Sequence, residues 1–245
     1  MYNPPAYLWA ITIAGSAAVA VLTCIVLYGG AMRAGLGRKR AALLGGAAAA
    51  VFGGWLTASA VIADHGWFRT LPWFPVAVAG YLGLLLALRR IPVVARALAA
   101  PGMVSRLELP HAPRVVGVVF LFYLALGHLP ALFALPAGLG DIATGIAAPL
   151  VARRFAQDTG RRAVLWFNAL GMTDLVVALT LGALTGFQLL NVTPSGAPIS
   201  ELPLALIPTA AVPLLFALHI TSVSALVRAP RTPRPANAPL TSATR

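Results

Sequence analysis

Residues 115–152 read VVGVVFLFYLALGHLPALFALPAGLGDIATGIAAPLVA, a run with one acid, Asp141, and no base. A helix that crosses about 30 Å of hydrocarbon needs about 20 apolar residues, so this run is too long for one span and must turn back on itself. Leu135-Pro136-Ala137-Gly138 carries turn chemistry and divides it into a hairpin of 115–133 and 137–152. A single broken helix followed by a re-entrant segment is the alternative.

Five further apolar runs lie outside this stretch, at 7–30, 41–63, 71–88, 163–185 and 202–227. The expected fold is therefore an all-α integral membrane protein, a seven-transmembrane-helix bundle over residues 1–228, with a disordered tail at 229–245 rich in proline. Composition agrees. The 245 residues are 59% hydrophobic and 10% charged, where a soluble domain carries about 25% charged residues. So few polar groups cannot cover a water-facing surface, and the lipid bilayer is the expected partner. The net charge of +12 does not indicate nucleic acid, because the basic residues sit in short clusters between apolar runs and not on one solvated face. The single cysteine, Cys24, excludes an intrachain disulfide. Residues 1–6 lack the basic start of a cleavable signal, so the first apolar run is expected to stay as a helix.

The basic clusters set the orientation. Arg33, Arg38, Lys39 and Arg40 follow the first span; Arg89, Arg90, Arg96, Arg106 and Arg114 follow the third; Arg153, Arg154, Arg161 and Arg162 follow the fifth; Arg228, Arg231, Arg234 and Arg245 follow the seventh. Arg69 alone falls on the other side. The rich side is expected to be cytoplasmic, with the N-terminus outside. The clusters would also attract anionic lipid headgroups, and the stretch 91–100 around Arg96 reads as an ordinary connecting loop, with a membrane-surface segment as the alternative. Tyr7, Trp9, Trp67, Phe68, Trp73 and Phe74 would form the outer aromatic belt. The preference for arginine and alanine over lysine points to a prokaryotic inner membrane, where the sequon Asn191-Val192-Thr193 has no meaning. Leu71-Pro72 and Leu202-Pro203 open spans three and seven and hint at parallel repeats of three spans around the fourth.

Ionisable groups inside hydrocarbon are costly, about 2.5–3.5 kcal/mol for aspartate on insertion scales, so each marks a candidate site. Asp174 stands about 16 Å into span six, near the midplane, and Asp141 about 6 Å into span five. His128, near the end of span four, would meet Asp141 across a tight hairpin and could exchange a proton with it. At 100° per residue, Gly138, Asp141, Thr144, Gly145 and Ala148 share one face, and Asn168, Gly171, Asp174, Ala178 and Gly182 share another. Small residues allow close helix approach in lipid, so these faces are expected to meet or to line a narrow wet cavity. The plain alternative is that the aspartates only fasten the bundle through Thr144 and Asn168. Glu201 would sit at the outer mouth of span seven, whose Pro203, Pro208 and Pro213 interrupt its hydrogen bonding. His219 falls about 25 Å from the outer boundary and reads as a cytoplasmic interface residue.

Other chemistries are excluded or disfavoured. His128, Asp141 and Asp174 could supply three zinc ligands, but no metal-ligand spacing supports it, and no metal or cofactor is expected. The only lysine, Lys39, lies in a loop, which rules out a retinal Schiff base within the bundle. No phosphate-binding or nucleophile motif occurs. Two functions remain: a small proton-coupled transporter or permease with its site among spans four to seven, or an intramembrane enzyme that uses buried carboxyls for acid–base chemistry on a lipid or isoprenoid. The substrate is accordingly a small molecule or a lipid.

Overall fold

The computed structural model describes residues 3–157 and 160–228. The expected tail at 229–245 lies outside the described residues. The described chain is all-helical: α1 (Ala6–Arg33), α2 (Gly37–Asp64), α3 (Trp73–Leu88), α4 (Pro92–Leu98), α5 (Met103–Leu107), a 3-10 segment (Leu109–Gly117), α6 (Val118–Ala125), α7 (Ala131–Ala156), α8 (Arg161–Gly186), a π-helical turn (Ile207–Ala211) and α9 (Val212–Arg228). Six helices are long and apolar enough to cross a bilayer, with α5, the 3-10 segment and α6 counting as one crossing, Met103–Ala125. A seventh is reached only if α3 and α4, bent by 85° at their junction, count as one span. After that bend α4 packs its Ala97 against Ala31, Leu36 and Ala41, at the facing ends of α1 and α2.

The long apolar run does fold back, but the turn lies at 126–130 and not at 135–138. Gly127 adopts φ +76°, with its N–H bonded to Leu124 O (2.9 Å) and the next N–H, of His128, bonded to Tyr123 O (2.8 Å). A left-handed glycine closing these two bonds is a strong helix stop, and Pro130 then caps α7. Pro136 is absorbed inside α7. The crossing before the turn starts at Met103, twelve residues earlier than Val115, so much of the expected loop 89–114 belongs inside the bundle.

Prolines shape the last crossing as well. Pro213 has no N–H for the carbonyl of Thr209, four residues back, and the indole of Trp55 on α2 donates to that oxygen instead (2.8 Å). Trp55 stacks on Tyr81 of α3 at 4.5 Å between ring centres, so α2, α3 and the π turn are joined at one point. At the end of the bundle expected to face outward, Trp67 pairs with Trp73 and Phe68 with Phe74. Beside them Arg69 meets Glu201 at 3.2 Å, so this arginine has an acidic partner.

Candidate functional site

The 3-10 segment begins Leu109-Pro110-His111-Ala112-Pro113. Its two prolines deny the backbone α-helical donors, and a period of three residues per turn takes over, which eclipses side chains at i and i+3. Glu108, His111, Arg114 and Gly117 therefore stack in one column. Glycines let this column approach α7. A Cβ on Gly145 would stand 2.6 Å from Val115 N and 2.9 Å from Ala112 O, and one on Gly117 would run into Asp141.

Arg114 is the central residue of Met103–Ala125 and is 2% exposed. Its Nε donates to Asp141 Oδ1 of α7 at 2.7 Å, and its Nη2 donates to Asp174 Oδ2 of α8. Nη1 lies 3.4 Å from Nε2 of His219 on α9. One guanidinium thus joins three helices at mid-bundle. Helices α7 and α8 do pack together, but Asp174 stands over Gly140, outside the expected α7 face, while Gly138 and Gly145 of that face meet the segment from Ala112 to Leu121. What brings the two aspartates together is an arginine assigned by sequence to a cytoplasmic loop. Arg114 drops out of the orienting charges, which then rest on the remaining clusters.

A second polar layer lies toward the end of the bundle holding the N-terminus of α8 and the C-terminus of α9. Asn168 Nδ2 donates to Val164 O (2.8 Å) and Glu108 Oε1 (2.9 Å), leaving its Oδ1 to accept from Nδ1 of His219 (2.8 Å). That network makes His219 the Nδ1–H tautomer, with the Nε2 lone pair directed back into the cluster. Ser222 donates to Glu108 Oε1 at 2.5 Å. His111 stacks on His219 at 3.9 Å and meets Phe167 edge-on. Gly171 makes room for the pair, since a Cβ there would stand 2.6 Å from the His219 ring. Glu108, His111, Asn168, His219 and Ser222 are each fully buried. Among the described residues, Glu108 Oε2 and both ring nitrogens of His111 have no hydrogen-bond partner.

Of the residues named from sequence, Asp141, Asp174 and Asn168 belong to this cluster. Asp141 is not shallow: α7 begins at Ala131, which puts it about 15 Å along the helix, near the level of Asp174. His128 sits in the 126–130 turn, about 20 Å along the axis from Asp141, so the two are not a proton-exchanging pair and His128, Asp141 and Asp174 do not form a ligand set. Thr144 is half-buried beside the cluster. Glu201 belongs to the Arg69 ion pair instead. His219 is not an interface residue, because the regular helix starts near Ile207 and not at Leu202, which moves the ring to mid-span. The cluster consequently extends from the middle of the bundle toward the expected cytoplasmic end and not into the outer half. Sequence reading missed Glu108, His111, Arg114 and Ser222. The signal available for the first three was their spacing of three, in phase with Pro110 and Pro113.

Two cavities border the bundle's interior. One of about 20 Å³ reaches Asp141 between Phe74, Phe120, Phe133 and the π turn. The other, about 260 Å³, is almost wholly apolar, lies among α1–α4 and α9, and has Arg89 at its edge.

A family model for a domain of unknown function (DUF8737) matches residues 71–227, well over half of the chain. The chain belongs to this family. The DUF8737 region contains every residue of the polar cluster, from Glu108 to Ser222, and begins after α1 and α2. No curated protein and no solved structure matches the chain.

Proposed function

We propose that this DUF8737 protein is a small proton-coupled transporter or permease whose polar site lies among the crossings from Met103 to Arg228. The observation that carries the reading is Arg114 shared between Asp141 and Asp174. One guanidinium against two carboxylates leaves a single formal negative charge, which one proton neutralises. Protonation of either aspartate frees its helix from Arg114 while the other stays paired, so proton uptake is linked to a change in how α7 and α8 are held. An unpaired charge would be too costly at this depth, which favours the exchange of one partner for another over outright release. The π turn and its prolines, packed beside Asp141 across the small cavity, provide a joint at which the last crossing can bend.

The alternative, an intramembrane enzyme acting on a lipid or isoprenoid, draws on the larger apolar cavity. That cavity is lined by Leu214, Ala217, Leu218 and Thr221 of α9, whereas His219 and Ser222 leave the helix on a different side, and no buried carboxylate borders it. Transport is therefore the preferred reading. In it, the bundle lies in a prokaryotic plasma membrane with the N-terminus outside and the arginine clusters against anionic headgroups.

The test uses proteoliposomes carrying the full chain and an internal pH dye, challenged with a panel of small solutes. A solute-dependent pH change is expected for the parent and is lost in Asp174→Asn, with the variant eluting as a folded, monodisperse species. A variant as active as the parent, or a parent that gives no pH change with any solute, would remove the reading.

A further inference from the structure

We infer that Glu108 Oε2, His111 and Nε2 of His219 form a binding site for one divalent transition-metal cation of the zinc type. One ligand atom from each of the three lies within 4.8 Å of the others, and all three residues are fully buried. Buried polar atoms are nearly always paired, yet among the described residues Glu108 Oε2 and both nitrogens of His111 have no partner. Packing alone gives no reason to retain three such groups in the interior of an apolar bundle.

The surrounding bonds prepare the groups for ligation. Ser222 and Asn168 occupy only Oε1 of Glu108, which holds the carboxylate and leaves Oε2 as a single donor. Asn168 also takes the Nδ1–H of His219, fixing the tautomer whose Nε2 carries a lone pair. An outer-shell partner of this kind is the usual companion of a metal-binding histidine. Arg114 Nη1 reaches that Nε2 only at 3.4 Å, so metal binding takes the lone pair from one long contact while Nε and Nη2 keep Asp141 and Asp174. Tetrahedral bonds of about 2.0–2.1 Å need ligand atoms about 3.4 Å apart, so the His111 ring would turn out of its stack to meet the ion while Asn168 keeps His219 in place.

Charge and donor type select the cation. With the aspartates deprotonated, three carboxylates (Glu108, Asp141, Asp174) and one guanidinium (Arg114) leave two formal negative charges, which one dication balances, so the ion and the coupling proton compete for the charge beside Arg114. Two imidazoles and one carboxylate suit zinc and its borderline neighbours and leave a further coordination position open, while magnesium and calcium prefer oxygen alone. The site adjoins the proton-coupling group through Arg114, and the two readings fail separately, because equilibrium binding tests one and proton flux the other.

The experiment titrates the detergent-purified full chain with Co²⁺. One equivalent is expected to bind with the visible absorption of a four-coordinate site, to be displaced by Zn²⁺, and to persist in excess Mg²⁺. Asn168→Ala should weaken binding about 10–100-fold, as loss of an outer-shell partner does, and His111→Ala or Glu108→Gln should weaken it more. His65→Ala, remote on α2, should bind as the parent does. X-ray absorption on the cobalt-loaded parent counts its imidazole ligands without any variant, and two are expected. Absence of stoichiometric binding, a parent without imidazole ligands, or a folded His111→Ala that binds like the parent would overturn the site.

Discussion

Helix α2 and the last crossing, Ile207–Arg228, are both apolar and long enough to span a bilayer, yet 17% of the apolar window of α2 is buried inside the bundle against 61% of the other. Their small residues differ in the same sense. On α2, a Cβ at Gly46, Gly53 or Gly54 would meet nothing within 4 Å. Around the last three crossings, Gly145 and Gly171 are filled against backbone and imidazole. Hydropathy reports whether a helix tolerates lipid, and it is silent on whether the helix faces lipid or other helices. Of these two crossings, the more buried one carries a costly group, His219, because only protein neighbours can pair such a group. The polar cluster lies wholly after residue 71, inside the family region, but burial does not divide there, since the apolar window of α1 is 33% buried and that of α8 28%.

The largest effect that can break this comparison is expected at Arg114. Arg114→Met strands two carboxylates in the bundle and should destabilise the full chain in detergent by about 3–5 kcal/mol, measured by chemical denaturation. Adding Asp141→Asn and Asp174→Asn to the same variant removes the stranded charges and should recover most of the loss. A single variant as stable as the parent would mean that the carboxyls do not depend on Arg114. Next come paired glycine substitutions. Gly145→Ala forces a methyl group into the Ala112–Val115 backbone and should cost about 1–3 kcal/mol, whereas Gly53→Ala gains helix propensity in open space and should stabilise by about 0.5–1 kcal/mol. Equal effects at the two positions would erase the distinction between lipid-facing and interior helices. The smallest is Trp55→Phe, which keeps the ring on Tyr81 but loses the donor to Thr209 O. It should cost about 1 kcal/mol, a value that measures how firmly α2 is tied to the rest.

The glycine and aspartate pattern of α7 and α8 was legible because both are regular helices: counting at 100° per residue put Asp141 with Gly145 and Asp174 with Asn168, and each pair does face the interior. The segment before them offered no helix on which to make that count, because Arg114 among apolar residues and prolines reads as the end of a loop. An α-helical period would hold Glu108, His111 and Arg114 within about 120°, and the 3-10 geometry of the segment with Pro110 and Pro113 draws them into one column. The turn was misjudged for a related reason, since Leu135-Pro136 and Gly127 with Pro130 are both plausible breaks, and the choice depends on which glycine the packed chain holds at positive φ.

By itself the sequence determined that lipid is the solvent and that the chain is a helical bundle, since composition and run length act through the bilayer's thickness and low polarity alone. It also determined that Asp141 and Asp174 must find partners. Which partners they found was decided by tertiary structure. A buried charge is satisfied by whatever group geometry brings within about 3 Å, and here that group is Arg114, joined by histidines from segments that chain position had assigned to the membrane surface or passed over.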